Sequence, residues 1–171
     1  MGHLRPPRPR NLRRFKISFH LNLPPSTRPL LITGLTFYED KRGDKKDVES
    51  VAREAFENYP SHYLANQRLE PSAIAHGYGE WAERCVDDPF TMVLVAIVDD
   101  VVCGFIATRV DDQSGEVVLN AVHPRFQGRG IYQDLLQRTC KLVFEEGGNS
   151  ISISTQISNQ RVINIWTRSG F

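Results

Sequence analysis

The most informative part of this chain is AVHPRFQGRGIY, residues 121–132. It lies between a β-rich run and an amphipathic run, and it holds Arg125, Gly128 and Gly130 in the spacing R-x-x-G-x-G. Glycines let a loop adopt positive φ and let a ligand approach the backbone. The unpaired N–H groups of such a loop and of the next helical turn form an anion site. We therefore predict a phosphate or pyrophosphate ligand, with Arg125 or Arg129 adding positive charge.

Two other phosphate-binding loops are excluded by the same residues. A dinucleotide-binding fingerprint needs a third glycine and a strand that opens a βαβ unit, and both are missing. A P-loop needs the sequence G-K-[ST], which is absent around Gly130. The plain alternative is that Gly128 and Gly130 only form a tight loop before a helix.

The elements on either side of this loop indicate the fold class. Pro60 ends one amphipathic helix and Pro71 begins another, while Asp99 and Asp100 join two β-rich runs as a hairpin turn. The predicted strands are residues 30–38, 92–98, 101–110, 117–122 and 151–157, and the predicted helices are residues 48–59, 71–85, 131–146 and 160–169. The order βααβββαβα predicts an α+β fold with a mixed, mostly antiparallel sheet flanked by helices.

Length and charge predict the domain organisation. The chain has 171 residues, 40% hydrophobic and 24% charged, which suits one packed domain. Residues 1–29 contain six prolines, and residues 1–38 contain seven basic residues and no acid. We expect residues 1–29 to be a disordered basic arm and residues 30–171 to be the domain. A nucleic-acid patch and an organelle presequence are alternatives for the arm, but residues 39–171 are net acidic, which disfavours nucleic-acid binding.

Several classes of protein are excluded by composition. No apolar run approaches the ~18 residues that a membrane-spanning helix needs, so we expect no membrane association. The three cysteines are odd in number and widely spaced, which argues against a disulfide framework and favours a reducing, cytoplasmic location. The histidines form no ligand cluster in the sequence, so we predict no metal site.

Two segments together resemble one family. VHPRFQGRGI, residues 122–131, is similar to motif A of the GNAT N-acetyltransferase superfamily, and NQRVINIWTRSGF, residues 159–171, resembles the second signature of that family. The matching positions are Val122, Pro124, Arg125, Gly128 and Gly130, and then Asn159, Val162, Ile163, Ile165, Trp166, Arg168, Gly170 and Phe171. The resemblance covers residues 30–171 and implies the GNAT fold.

This resemblance implies an acyltransferase that uses acetyl-CoA and moves the acetyl group directly to a primary amine. It implies that the loop binds the pyrophosphate, that the preceding strand pairs with pantetheine as an added strand, and that Asn159 bonds the cofactor arm. The implied cofactor-binding residues are Asn120, Ala121, Val122, Arg125, Gln127, Gly128, Arg129, Gly130, Ile131, Tyr132 and Asn159.

The catalytic residues depart from the family pattern. A tyrosine usually protonates the departing thiolate, and Trp166 holds its place; indole N–H donates hydrogen bonds but does not release a proton near neutral pH. Trp166 is thus a catalytic candidate mainly by position, with packing as the alternative. Glu116 is the candidate base, since strand alternation puts Glu116, Val118 and Asn120 on one face. The alternative for Glu116 is an exposed turn residue. His123 is a candidate proton relay, with a structural or solvated loop residue as its alternative.

The acceptor is expected to bind near residues 55–86. This segment resembles the bacterial nucleotide-amino-sugar N-acetyltransferases of the dTDP-fucosamine type, which implies an amino-sugar acceptor. The substrate-binding candidates are Ser61, His62, Tyr63 and Arg68. Acetylation of a peptide or small amine is the alternative, and a degenerate GNAT-like module that binds CoA without turnover is another.

The sequence ends inside the second signature, at Phe171. Family members usually continue with one or two more strands, so the C-terminal strands are expected to be missing. Residues 151–157 would then present an open sheet edge, which favours pairing with another chain. A homodimer through this edge is the corresponding prediction.

Overall fold

A computed structural model describes residues 16–22, 36–39, 45–57, 59, 63, 69–111 and 113–171. The strands are β1 (Lys16–Asn22), β2 (Thr36–Glu39), β3 (Thr91–Val98), β4 (Val101–Val110), β5 (Ser114–Val122) and β6 (Ser150–Gln156). The helices are α1 (Lys45–Phe56), α2 (Pro71–Asp87), α3 (Ile131–Glu145) and α4 (Gln160–Arg168), with a short 3-10 helix at Pro124–Phe126.

These strands form one sheet in the order β1-β6-β5-β4-β3-β2. Every neighbouring pair is antiparallel except β5 and β6, which run parallel. The predicted α+β class with a mixed, mostly antiparallel sheet is therefore confirmed. The hairpin between β3 and β4 turns at Asp99 and Asp100, whose φ values of 51° and 61° suit a tight two-residue turn.

Helices cover both faces of the sheet. The helices α1 and α2 bury Val48, Val51 and Ile74 on one face, which we call the α1–α2 face. On the other, the α3–α4 face, Leu135 of α3 and Trp166 of α4 are buried in a second cluster. The apolar residues recur every three or four positions in each helix, so one side of each helix is removed from water.

The expectation of an irregular arm over residues 1–29 is wrong for residues 16–22. These residues form β1, which pairs antiparallel with β6 along its whole length from Lys16↔Gln156 to Asn22↔Ser150. The ring of Phe19 and the side chain of Leu21 pack against the α3–α4 cluster. The prolines of the arm flank this alternating segment rather than interrupt it, and residues 1–15 lie outside the described residues.

Because β1 covers β6, the predicted open edge at residues 151–157 is also wrong. The basis for a homodimer through that edge is thereby removed. The opposite side of β6 is different: β6 pairs with β5 only from Ser114↔Ser150 to Val117↔Ile153, although β5 continues to Val122. The two strands therefore separate, and among the described residues the last part of β5 has no sheet partner on that side.

Candidate functional site: the cleft between two separating strands

A cleft of about 410 Å³ opens where β5 leaves β6. The end of β5, the loop before α3, the start of α4 and the end of α1 form its walls. Its lining residues are Ala55, Phe56, Tyr59, Asn120, Ala121, Val122, Phe126, Gln127, Gly128, Gly130, Ile131, Tyr132, Gln133, Asn159, Arg161, Val162 and Ile165. Nine of the eleven predicted cofactor-binding residues thus lie together around one cavity.

The glycine loop has the conformation that its sequence predicts. Gly128 and Gly130 have φ values of 80° and 87°, a region that L-residues with a Cβ rarely adopt. In the described part of the chain, the backbone N–H groups of residues 128–132 donate to no backbone carbonyl. Behind the loop, Gln127 Nε2 donates to the Val122 carbonyl at 3.0 Å. The loop is thus held to β5 while its own N–H groups stay available to an anion.

The positive charge at the loop comes from an unexpected position. Arg125 and Arg129 are exposed and do not line the cleft; the guanidinium of Arg129 lies 5.3 Å from the centroid of the Phe126 ring. Instead Arg161, in the first turn of α4, lines the cleft, and its Nη2 lies 3.8 Å from where a Cβ on Gly128 would stand. Arg161 lies two residues after Asn159 within the second signature, which was the available signal.

Asn159 joins the two sides of the cleft. Its Oδ1 accepts from the Val162 N–H at 3.4 Å, so it caps α4. Its Nδ2 donates to Tyr59 Oη at 3.3 Å and to Thr155 Oγ1 at 3.2 Å. The start of α4 is therefore tied to the residues that follow α1. Tyr59, Phe56 and Ala55 of this wall were not predicted as site residues, because nothing local marks a helix end as a cleft wall.

The residue at the usual tyrosine position does not reach the cleft. Trp166 is 1% exposed and packs edge-on against Phe19, with ring centroids 5.2 Å apart. Its Nε1 donates to Tyr132 Oη at 2.8 Å. Tyr132, in the first turn of α3, does line the cleft, and burial is the main cause that raises the pKa of its hydroxyl.

Glu116 does not share a face with Asn120, which corrects the predicted alternation. The β4–β5 register shifts after Ala107↔Leu119, so that Thr108 pairs with Val117 and Val118 is an extra residue. Val118 and Leu119 consequently both pack on the α1–α2 face, which places Glu116 on that face and Asn120 on the other. Glu116 is exposed, pairs across with Ser152 and lies outside the cleft lining.

His123 supports the loop rather than lining the cleft. Its Nδ1 accepts from the Arg125 N–H at 3.1 Å, and its Nε2 lies 2.9 Å from Glu54 Oε2. A ring nitrogen that accepts carries no proton, so the proton of the neutral ring is on Nε2 and is donated to Glu54. The pair thus ties α1 to the start of the loop. This assigns His123 a structural contact instead of a proton relay.

The acceptor candidates are only partly covered by the described residues. Ser61, His62 and Arg68 lie outside them, whereas Tyr63 is described and is 42% exposed. Its ring is 6.1 Å from that of Tyr78, which stacks on Phe56 at 3.9 Å and is 6.2 Å from Trp81. We call Phe56, Tyr59, Tyr63, Tyr78 and Trp81 the aromatic cluster. It begins at the cleft and ends at the surface, where Trp81 is 38% exposed.

Among the described side chains, no three His, Cys, Asp or Glu residues come together as metal ligands would. Within the ranges that the structure covers, no helix combines the length and the apolar character that crossing a bilayer requires.

An extended ligand with a phosphate end fits this cleft. The unpaired side of β5 at residues 118–122 offers backbone groups to an extended chain, in the manner of an added strand. The N–H groups of the loop, the start of α3 and the Arg161 guanidinium suit phosphate oxygens. Acetyl-CoA, whose arm is extended and whose far end carries phosphates, therefore suits the residues that are present.

Comparison with solved structures agrees with this arrangement. The chain is similar to AAC(6')-Iy in complex with a CoA-containing bisubstrate analogue, at 13% identity and a TM-score of 0.61, over 81% of this chain and 91% of that one. It is similar to an aminoglycoside acetyltransferase from an uncultured soil metagenomic sample, at 14% identity and a TM-score of 0.59, over 80% and 87% of the two chains. The ribosomal-protein-S18-alanine N-acetyltransferase of Escherichia coli matches at 14% identity and a TM-score of 0.59, over 78% and 75%.

These likenesses concern the fold. Family membership comes from the sequence itself, because the family model described as Acetyltransferase (GNAT) family matches residues 48–171, which include the loop, β5, β6 and α4. The chain therefore belongs to the GNAT acetyltransferase family and is an acyltransferase that uses acetyl-CoA.

Proposed function

We propose that this enzyme transfers the acetyl group directly to a primary amine, and that the amine belongs to an amino sugar, nucleotide-linked as the best candidate. The observation that carries the proposal is the composition of the cleft at its two ends. One end has free loop N–H groups and an arginine, and the other meets the aromatic cluster. A donor and an acceptor of different chemistry can therefore approach one another within a single cavity.

The donor end uses three sets of groups. Loop N–H groups and Arg161 would hold the phosphates, the edge of β5 at residues 120–122 would hold the pantetheine arm, and Asn159 would exchange one of its present partners for that arm. When bound, acetyl-CoA supplies an acetyl group activated as a thioester. The protein's own task is then to align an amine with that group and to exclude water from it.

The acceptor must arrive at the α1–α2 face and must lose a proton. Amines attack only as the free base, so a proton acceptor near the entry is useful. Glu116 is the proposed base because it projects from β5 on that same face. Since Glu116 lies outside the cleft lining, it would take the proton through water rather than by direct contact.

The aromatic cluster supports a sugar as the acceptor. The exposed rings of Tyr63 and Trp81 offer faces with partial negative charge, on which the C–H face of a sugar ring can stack, while the hydroxyls of Tyr59 and Tyr63 can bond sugar oxygens. Ser61, His62 and Arg68 remain proposed contacts to the sugar or its phosphate. A peptide would instead need an extended polar groove with backbone partners.

A binding assay combined with an acceptor panel tests the proposal. Acetyl-CoA would be titrated calorimetrically, and thiol release would be followed with nucleotide-linked amino sugars, free amino sugars, peptides and simple polyamines. We expect turnover with the amino sugars, and Tyr63→Ala should raise KM for them more than it lowers kcat. Turnover confined to peptides or polyamines would overturn the sugar assignment. Binding with no thiol release from any amine would show a module that binds CoA without turnover.

A further inference from the structure

The buried position of Trp166 leaves one catalytic role without its usual residue. The departing sulfur of the donor develops negative charge, and a nearby hydrogen-bond donor stabilises it. Trp166 is 1% exposed, lies outside the cleft lining and directs its single N–H to Tyr132. An indole that already donates its only proton to a protein atom has none left for a ligand.

Tyr132 has the properties that Trp166 lacks. It lines the cleft from the first turn of α3, and its hydroxyl oxygen accepts from Trp166 Nε1 at 2.8 Å. Among the described residues, no acceptor takes the proton of that hydroxyl. Burial raises the pKa of this hydroxyl above the ordinary value for tyrosine, so the hydroxyl is protonated at neutral pH and available to donate.

The opposite wall shows which part of the cleft this hydroxyl faces. Tyr59, which follows α1, lines the same cleft as Tyr132. Tyr59 also accepts from Asn159, the residue that the family resemblance assigns to the cofactor arm. Tyr132, Tyr59 and Asn159 therefore line one cleft, which the arm of the cofactor would occupy.

We infer that Tyr132 is a catalytic residue whose hydroxyl, oriented by Trp166, donates to the departing sulfur in place of the tyrosine that the family carries at position 166. The inference rests on the proposed amine acetylation. As the amine N–C bond forms and the C–S bond breaks, the electron pair of the C–S bond goes to sulfur. The sulfur takes the proton that the amine loses, directly or by exchange through the phenol, which is neutral before and after.

Trp166 is the positioning residue in this arrangement. Its N–H fixes the Tyr132 oxygen and stabilises negative charge on it, which makes the phenol a stronger donor. The edge-on contact with Phe19 of β1 and the complete burial of the indole fix the position of that N–H. Trp166→Phe would keep an aromatic ring at this position and remove the hydrogen bond, and the smaller ring would also leave a cavity.

The test measures the pKa of the CoA thiol in its complex with the full chain. Thiolate absorbance is followed against pH for the CoA complex, with the desulfo-CoA complex subtracted to remove tyrosine titration. A donor to sulfur lowers the thiol pKa, so Tyr132→Phe should raise it by about one unit, a tenfold change in the ionisation constant. The same variant should lower kcat roughly 10- to 100-fold, near the lower end for acid catalysis because a thiolate leaves readily.

Two further variants make the result specific. Trp166→Phe should shift the thiol pKa in the same direction by a smaller amount, and Tyr59→Phe should leave the thiol pKa as in the wild type. An unchanged thiol pKa in Tyr132→Phe, or the shift appearing in Tyr59→Phe instead, would overturn the inference while wild-type turnover still upheld the proposed function. A wild type that binds CoA but acetylates no amine would refute the proposed function separately.

Discussion

Replacing Arg161 with glutamine should weaken acetyl-CoA binding roughly tenfold. The guanidinium Nη2 of Arg161 lies 3.8 Å from the point that a Cβ on Gly128 would occupy. The guanidinium therefore lies beside the N–H groups of the loop, where both can contact one phosphate. A hydrogen bond between charged partners contributes about 1.5–3 kcal/mol to binding. Arg161 is exposed, and solvent screening reduces this to about 1–1.5 kcal/mol. Since about 1.4 kcal/mol is a factor of ten, the expected loss follows.

Calorimetric titration at two salt concentrations measures this loss. Arg168→Gln is the matched control because Arg168 is also exposed on α4 but does not line the cleft. The difference between the two variants should shrink as ionic strength rises, since salt screens exposed charges. Equal affinities for Arg161→Gln and Arg168→Gln at low salt would refute the assignment of Arg161 to the cofactor phosphates.

Three further outcomes follow from the described geometry. Gly128→Ala and Gly147→Ala should each lose about 1 kcal/mol of stability, since both sites have positive φ and a Cβ there meets no atom closer than 3.8 Å, but only the former should weaken acetyl-CoA binding when both are titrated. Gly115→Ala places a Cβ 2.9 Å from Val143 Cγ2 and should lower the free energy of unfolding in urea by about 1–3 kcal/mol. Adding Val143→Ala should partly relieve this loss, and losses that simply add would contradict the contact. Burial raises the pKa of the three thiols to about 11 or 12, so a thiol reagent near neutral pH should label them only after denaturation; rapid labelling of the native chain would contradict their burial.

The sequence predicted those elements whose signals are local. Pro71 begins α2, Asp99 and Asp100 turn the β3–β4 hairpin, and the glycines before α3 adopt positive φ. Each of these residues restricts its own backbone, so no knowledge of distant partners is needed. The cofactor loop was predictable for the same reason, because free N–H groups at a helix start are a property of the local chain.

Other features depended on partners far along the chain. The segment of β1 is short and is flanked by prolines, so its sequence alone predicts an irregular arm. It forms a strand because it pairs with β6, which lies far along the chain. The extra residue at Val118 was invisible because the surrounding run of valine and leucine has the same apolar character in either register. The single residue of the bulge was enough to move Asn120 to the face opposite Glu116.

The pairing of Tyr132 with Trp166 shows a third kind of limit. The sequence indicated Tyr132 for its backbone N–H group and Trp166 for its position in the second signature. It did not indicate that the two side chains, 34 positions apart, share a hydrogen bond. Side-chain contacts between two helices depend on how the helices pack, which neither periodicity nor spacing specifies.

The coverage of β6 by β1 determines when the cleft can be completed during folding. β1 and its partner β6 lie far apart along the chain, and closing the loop of about 130 residues between them costs roughly 4 kcal/mol before any contact compensates. On its other side β6 is held to β5 over only four residue pairs. We therefore expect the wall that carries α4 to dock late, after β3, β4 and β5 have joined through their short connections. Acetyl-CoA would bridge β5 and that wall, and these contacts form only late in folding. Bound acetyl-CoA should therefore slow unfolding more than it speeds folding.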